Sequence, residues 1–274
     1  MIPSETIIRP KKIFSLRDIK ELWQYKELLY FLSWRDIKVR YKQTIIGGVW
    51  AIMQPLITMI VFTVFFGKLA NMPSDNVPYP IFVYVGLLFW QFFSSALADT
   101  SNALVANQAI VKKVYFPRLL LPISTVITKF IDFIIASLIL VGMMIYYKYT
   151  PSLEGILVLP LLLLITFFAS TGAGLFLSAL NVKYRDVRYA LPFFIQLLLF
   201  VTPVIYPASI AGKFSWILAF NPMMGVIQTA RAGLLHTTPI NWTLLGISTI
   251  VCLAIFAIGL IYFKKVEKYF ADII

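Results

Sequence analysis

The sequence predicts an all-α integral membrane protein, on three observations. The 274 residues are 60% hydrophobic and only 13% charged, with a mean hydropathy of +0.85. Soluble domains carry about 45–50% apolar and about 25% charged residues, so this chain has too little polar surface for water. Apolar runs of about 20 residues recur, the length a helix needs to cross about 30 Å of hydrocarbon. The alternating ten-residue segments of an outer-membrane barrel do not occur. Finally, the 24 Lys and Arg residues gather between alternate runs.

Six spans are expected, over residues 48–69, 81–102, 123–147, 156–180, 189–206 and 244–263. They divide the chain into an N-terminal segment, 1–47, a six-helix membrane domain, 48–263, and a tail, 264–274. Nineteen of the 24 basic residues fall on one side. Ten lie in residues 1–47, followed by Lys112, Lys113 and Arg118, then Lys183, Arg185 and Arg188, then Lys264, Lys265 and Lys268. The positive-inside rule puts that side, with both termini, in the cytoplasm. The net charge of +12 therefore reads as topology and contact with anionic lipid, not as a nucleic-acid footprint. No signal peptide is expected, because a long charged segment precedes the first apolar run. One histidine, His236, and one cysteine, Cys252, exclude a His/Cys metal cluster and an intramolecular disulfide within one chain.

The first element is "DIKELWQYKELLYFLSWRDIKVRYK". Ile19, Leu22, Trp23, Leu29 and Tyr30 approximate one helical face, with Lys20, Glu21, Lys26 and Glu27 around the rest. So dense a mixture of aromatics and charges cannot span, but it can lie in the headgroup plane as an amphipathic interfacial helix. A soluble amphipathic helix packing on a partner is the alternative. In "RYKQTIIGGVWAIMQP" the charges, a double glycine and a proline follow closely. Arg35, Lys38, Arg40 and Lys42 would hold the chain at the headgroups. Gly47 and Gly48 would turn it from lying on the membrane to crossing it. Pro55, unable to donate to the previous turn, would bend the first span.

The second span is crowded with rings. Tyr84, Phe89, Trp90 and Phe93 are candidates to line a channel, with lipid- or core-facing positions as the alternative. Lys129 and Asp132 are three apart on the third span and share a face, while Asp99 falls near the same depth. A Lys129–Asp132 or Lys129–Asp99 ion pair locking the helices is expected, with a proton relay as the competing role. The small residues of "FASTGAG" in the fourth span allow close helix packing. Between spans five and six, "FSWILAFNPMMGVIQTARAGLL" is apolar but broken at Asn221-Pro222 and Gly225. Two short helices re-entering the outer leaflet are expected there, with an exterior hairpin as the alternative.

Four stretches carry a resemblance. "RDIKVRYKQTIIGGVWAIMQPL", "NQAIVKKVYFPRLLLP", "LNVKYRDVRYALPFFIQLLLFVTPVIYP" and "FNPMMGVIQTARAGLL" occur in the order found in the membrane subunits of type-2 ABC exporters. These are the permeases for O-antigen, capsule and teichoic acid, and the resemblance covers nearly the whole chain. It implies export of a lipid-linked polysaccharide across the bacterial inner membrane through a homodimer channel. An ABC-type ATPase subunit would drive export, docking on a coupling segment that includes Asn107, Lys112, Lys113, Tyr115 and Phe116. By the same resemblance the outer pair, with Asn221, Pro222 and Arg231, caps the channel. The sequence agrees in one respect: no G-x-x-x-x-G-K-[ST] phosphate loop is present, so ATP and Mg are expected on the partner and no cofactor on this chain. A secondary transporter or channel would call for midplane polar groups and repeated halves, and neither is seen. A membrane-embedded glycosyltransferase would want clustered carboxylates, whereas the twelve acidic residues are scattered.

Overall fold

The computed structural model describes residues 16–42 and 49–270, so the hinge expected at Gly47 and Gly48 lies outside the described residues. Within them the regular elements are all helical. Helices α1 (Leu16–Gln24) and α2 (Lys26–Lys42) precede α3 (Val49–Phe62), which widens into π turns over Thr63–Leu69. Then come α4 (Tyr79–Ala106), α5 (Gln108–Lys113), α6 (Leu120–Tyr147), α7 (Leu153–Lys183) and α8 (Val187–Val201). A short 3-10 stretch, Ala208–Phe214, leads to α9 (Ser215–Leu218), α10 (Pro222–Leu235) and α11 (Trp242–Val266).

Among the described residues, five helical segments are long and apolar enough to cross a membrane: Val49–Leu69, Tyr79–Ala106, Leu120–Tyr147, Leu153–Lys183 and Trp242–Tyr269. The segment expected as a fifth span over 189–206 is shorter. Helix α8 has 15 residues, about 22 Å at 1.5 Å per residue. It stops because Thr202 precedes Pro203, and a residue before proline is pushed out of helical geometry; Thr202 has φ −80° and ψ 135°. The α-helix runs through Pro55 and widens into π turns from Thr63, about two turns later. There Gly67 lies against the Tyr79 ring, where an added Cβ would come within 2.8 Å.

Helix α4 is the centre of the bundle, packed by α6, α7 and α10 and buried on nearly every side. Helix α7 meets α11 where Gly172 faces Phe256 and Gly259, and meets α10 where Gly155 faces Gly233. Glycine at each crossing lets the two backbones touch. A second cluster closes the end that carries the basic loops, hereafter the basic end. It joins Leu32 of α2, Val111 of α5, Phe116 and Leu119 of the following turn, and Phe263 and Phe270 near the C-terminus. By contrast α3 and α8 turn apolar side chains outward, among them Ile57, Ile60, Phe65, Phe193 and Leu197.

The apolar face expected on the N-terminal helix divides. Leu22 and Leu29 pack on the basic-end cluster with Leu28 and Leu32. Trp23 and Tyr30 point away from it, in a row with Trp34 at spacings of seven and four, and all three are exposed. Tyr30 and Trp34 lie nearly parallel, with centroids 6.3 Å apart. The helix is therefore apolar on two opposite sides, one toward protein and one away from it, with its charges between.

Candidate functional site

At the basic end, α2 is held to the bundle by its charges. Arg40 Nη2 lies 3.0 Å from Asp132 Oδ2 on α6, and the neighbouring Tyr41 hydroxyl donates to the other carboxylate oxygen. Burial above all, then that hydrogen bond, raises the Tyr41 pKa well above the usual phenol range, so the hydroxyl stays a donor. Arg35 donates to its neighbour Asp36 at 2.7 Å and to Asn107 Oδ1 at 3.0 Å. Behind them, buried Lys129 donates to Asp99 at 2.6 Å. Of the two expected pairs the structure therefore forms Lys129–Asp99. Asp132 is turned instead toward α2, because a second helix brings an arginine and a phenol to it. An open cleft of about 450 Å³, lined in part by Arg35, Arg40, Asp99, Asn107 and Thr128, lies beside these contacts between α2, α4 and α6.

These pairings divide the four basic residues expected at the headgroups. Lys38 and Lys42 are exposed. Arg35 pairs with its neighbour Asp36 and reaches Asn107, and Arg40 pairs with Asp132 of α6, so both contact the bundle as well as the surface.

Asn107 sits where α4 passes into α5. Its side-chain nitrogen donates to Ala103 while its oxygen accepts from Arg35, so one residue ties the segment after α4 to α2. Lys112 and Lys113 end α5 on the surface, and Tyr115 is 76% exposed. Phe116 departs from the expected surface. It is only 5% exposed and sits within the basic-end cluster, because the turn that projects Tyr115 outward drives the next side chain inward. Arg118 donates from its amide to Glu267 at 3.3 Å and from its guanidinium to the Glu267 carbonyl, so the C-terminal end of the chain braces this turn. Phe116→Ala is therefore expected to cost about 3–5 kcal/mol of stability, the scale of emptying a buried aromatic site. Tyr115→Ala should leave the melting temperature of the detergent-purified protein nearly unchanged. A mild Phe116→Ala phenotype in that comparison would place the ring outside the core.

The channel candidates on α4 separate in the same way. Tyr84 is fully buried and donates to the Ala136 carbonyl at 2.9 Å, and Phe89 packs on Phe133 with centroids 5.3 Å apart. Both are core residues of one chain in this conformation. Trp90 and Phe93 instead line an apolar cavity of about 520 Å³ between α4, α7 and α8. The reason is position: α4 is the central helix, so a ring on it meets protein in almost every direction.

At the far end Asn221 caps α10, accepting from the Met223 amide at 3.0 Å and donating to Thr202 at 2.7 Å, with Pro222 as the first helical residue. Arg231 is buried, and its bonds are to backbone carbonyls. Its guanidinium donates to the carbonyls of Phe82 at 3.1 Å, Pro203 at 2.8 Å and Val204 at 2.6 Å, more distantly to Tyr206, and stacks 3.6 Å from the Phe82 ring centroid. The carbonyls of Pro203, Val204 and Tyr206 are freed where α8 stops, while that of Phe82 belongs to α4. In an apolar setting each would be costly unpaired, and one arginine satisfies them together. Gly86 leaves the space, since a Cβ there would come within 2.6 Å of Arg231 Nη2. The sequence shows the lone arginine and the Thr202-Pro203 break; it does not show that they meet.

Comparison with known proteins follows this geometry. Residues 27–235 match the family model described as ABC-2 type transporter. The chain is 29% identical over 249 residues to an "O-antigen export system permease protein RfbA" of Klebsiella pneumoniae, covering 90% of this chain and 95% of that one. A protein of the same description from Myxococcus xanthus is 28% identical over 259 residues, covering 93% and 98%. The "Polysialic acid transport protein KpsM" of Escherichia coli is 25% identical over 206 residues, covering 72% and 77%.

Proposed function

This chain belongs to the ABC-2 type transporter family, and we propose that it is the membrane subunit of an ATP-driven exporter moving a lipid-linked polysaccharide out of the cytoplasmic leaflet. The observation that carries this reading is the near full-length similarity to permeases described as exporting O-antigen. The basic end is its cytoplasmic face, by the positive-inside rule. Energy comes from a separate ABC-type ATPase subunit, since the sequence has no phosphate loop of its own. The ATPase docks on the exposed Lys112, Lys113 and Tyr115, and its motion reaches α2 through the Arg35–Asn107 bond. Two copies of the chain enclose the channel, pairing through the apolar faces that α3 and α8 leave uncovered. The short helices α9 and α10 re-enter the outer leaflet and close the far end, and α8 completes a sixth crossing together with the irregular segment that Arg231 holds.

The test combines topology with activity. A reporter at the C-terminus should be cytoplasmic and one inserted near Asp75 external. ATP hydrolysis should appear only when the chain is purified with its ATPase partner. Charge reversal of Lys112 and Lys113 together should lower that hydrolysis more than it lowers membrane insertion. Inverted reporters would overturn the orientation, and normal hydrolysis in the reversed variant would remove the docking role.

A further inference from the structure

The segment that carries Lys112, Lys113 and Tyr115 is tied at both ends. Asn107 opens it and accepts from Arg35 of α2 at 3.0 Å. Arg118, two residues beyond Phe116, closes it, and its partner comes from the other end of the chain. Helix α11 runs out into a 3-10 turn, Glu267–Tyr269, and the next residue, Phe270, is fully buried against Phe263 with ring centroids 5.2 Å apart. That anchor brings Glu267 to the start of α6. One carboxylate oxygen accepts from the Arg118 amide at 3.3 Å and the other from Lys264 at 3.0 Å. The Glu267 carbonyl accepts from the Arg118 guanidinium, which lies 5.9 Å from the Phe270 ring centroid. In the sequence Lys264 and Glu267 are three apart, a pair worth little on an exposed helix. Here their side chains are only 12% and 20% exposed. Helix α6 has no side-chain cap and no acidic residue in its first turn, so Glu267 supplies the carboxylate that a helix N-terminus favours.

We propose that Glu267 is a positioning residue for the ATPase, holding the docking segment in the pose that turns Lys112, Lys113 and Tyr115 outward; this rests on the exporter reading above. Two observations carry it. Residues 114–117 form no regular element, so the stretch from α5 to α6 does not fix its own direction. Buried Phe116 sets its depth, but apolar burial is non-directional, whereas the two bonds between Arg118 and Glu267 are directional. In addition, α11 meets α7 backbone to backbone at Gly259 and Gly172, so the turn that carries Glu267 is fixed to the body of the bundle. A surface held this way loses less conformational freedom on docking and binds more tightly for it.

The experiment pairs a distance with a titration. Spin labels on Y115C and Y146C, both exposed positions, report the docking turn against the far end of α6 once buried Cys252 is replaced by serine. Double electron–electron resonance on the chain alone should give one narrow distance, and E267A should broaden it. Without labels, the purified chain is titrated with an ABC-type ATPase and hydrolysis is followed. E267Q, which keeps the shape and loses the charge, should need about tenfold more ATPase for half-maximal stimulation, the scale of one charge-assisted hydrogen bond. Its maximal rate should be unchanged, and E267D, which keeps the charge, should recover part of the affinity. An unbroadened distance in E267A overturns the proposal, as does a normal half-maximal concentration for E267Q. A fall in melting temperature as large as that of Phe116→Ala, with maximal rate lost and half-maximal concentration kept, also overturns it and leaves Glu267 a structural group. A wild type that stimulates no ATPase overturns the exporter reading and the docking role together, whereas a responsive wild type with an unaffected E267Q overturns only the role of Glu267.

Discussion

Arg231→Met should destabilise the protein by about 3–5 kcal/mol, the sum of several orphaned buried acceptors at about 1–3 kcal/mol each. The guanidinium donates to the carbonyls of Phe82, Pro203 and Val204 at once. Methionine keeps much of the volume and the packing on Phe82 but donates nothing. The carbonyls of Pro203 and Val204, which lie outside any helix, would then face an apolar interior where water cannot reach them. Lysine should rescue in part only, because an ammonium is a point donor and cannot span a fork of acceptors. Gly86→Ala should act in the same direction by a smaller amount, about 1–3 kcal/mol, since its Cβ would press on Arg231 Nη2 at 2.6 Å and on the Val204 carbonyl at 3.0 Å. Thermal unfolding of purified protein in detergent reads all three variants. An unchanged midpoint for Arg231→Met would show that the carbonyls have other donors.

Gly259→Val is expected to do comparable damage from a different cause. A Cβ at Gly259 would fall directly on the Gly172 carbonyl, and one at Gly172 would meet the Phe256 amide nitrogen at 2.7 Å. Both obstacles are backbone, so no rotamer change relieves them, and α7 and α11 must move apart. Overpacking of this kind costs about 1–3 kcal/mol and more where two helices must separate along their length. The internal control is Gly142→Ala on α6 and Gly246→Ala on α11. Nothing lies within 4 Å of a Cβ at either position, so each should be neutral or gain up to about 1 kcal/mol from helix propensity. Equal melting temperatures for Gly259→Val and Gly246→Ala would show that the α7–α11 crossing is looser than it stands.

Much of this molecule is readable from one dimension. Composition and the repeat of long apolar runs determine a helical membrane protein, because a chain this poor in charge satisfies its backbone in hydrocarbon only by coiling on itself. The five long spans fall close to the expected ranges, and the break at Asn221-Pro222 is a real helix boundary, whereas the end at Thr202-Pro203 cuts short the span expected over 189–206. The glycines of "FASTGAG" do mark close approach: Gly172 meets α11 and Gly174 meets Thr100 of α4.

Residues whose meaning depends on a neighbour were not readable. Lys129 and Asp132 share a helix face, yet one pairs with α4 and the other with α2, since a side chain's partner is set by what crosses above it. Arg35 and Arg40 count as open positive charge in the sequence and as ion-paired anchors in the fold. Tyr84 and Tyr115 carry the same ring, and only the fold buries the first and exposes the second. The sequence by itself determined the solvent, the helices and where they must break, because those follow from local chemistry and hydrophobic run length. The tertiary structure alone decided which helix is central, which charges cancel and which carbonyls Arg231 serves, because each is a contact between segments far apart along the chain.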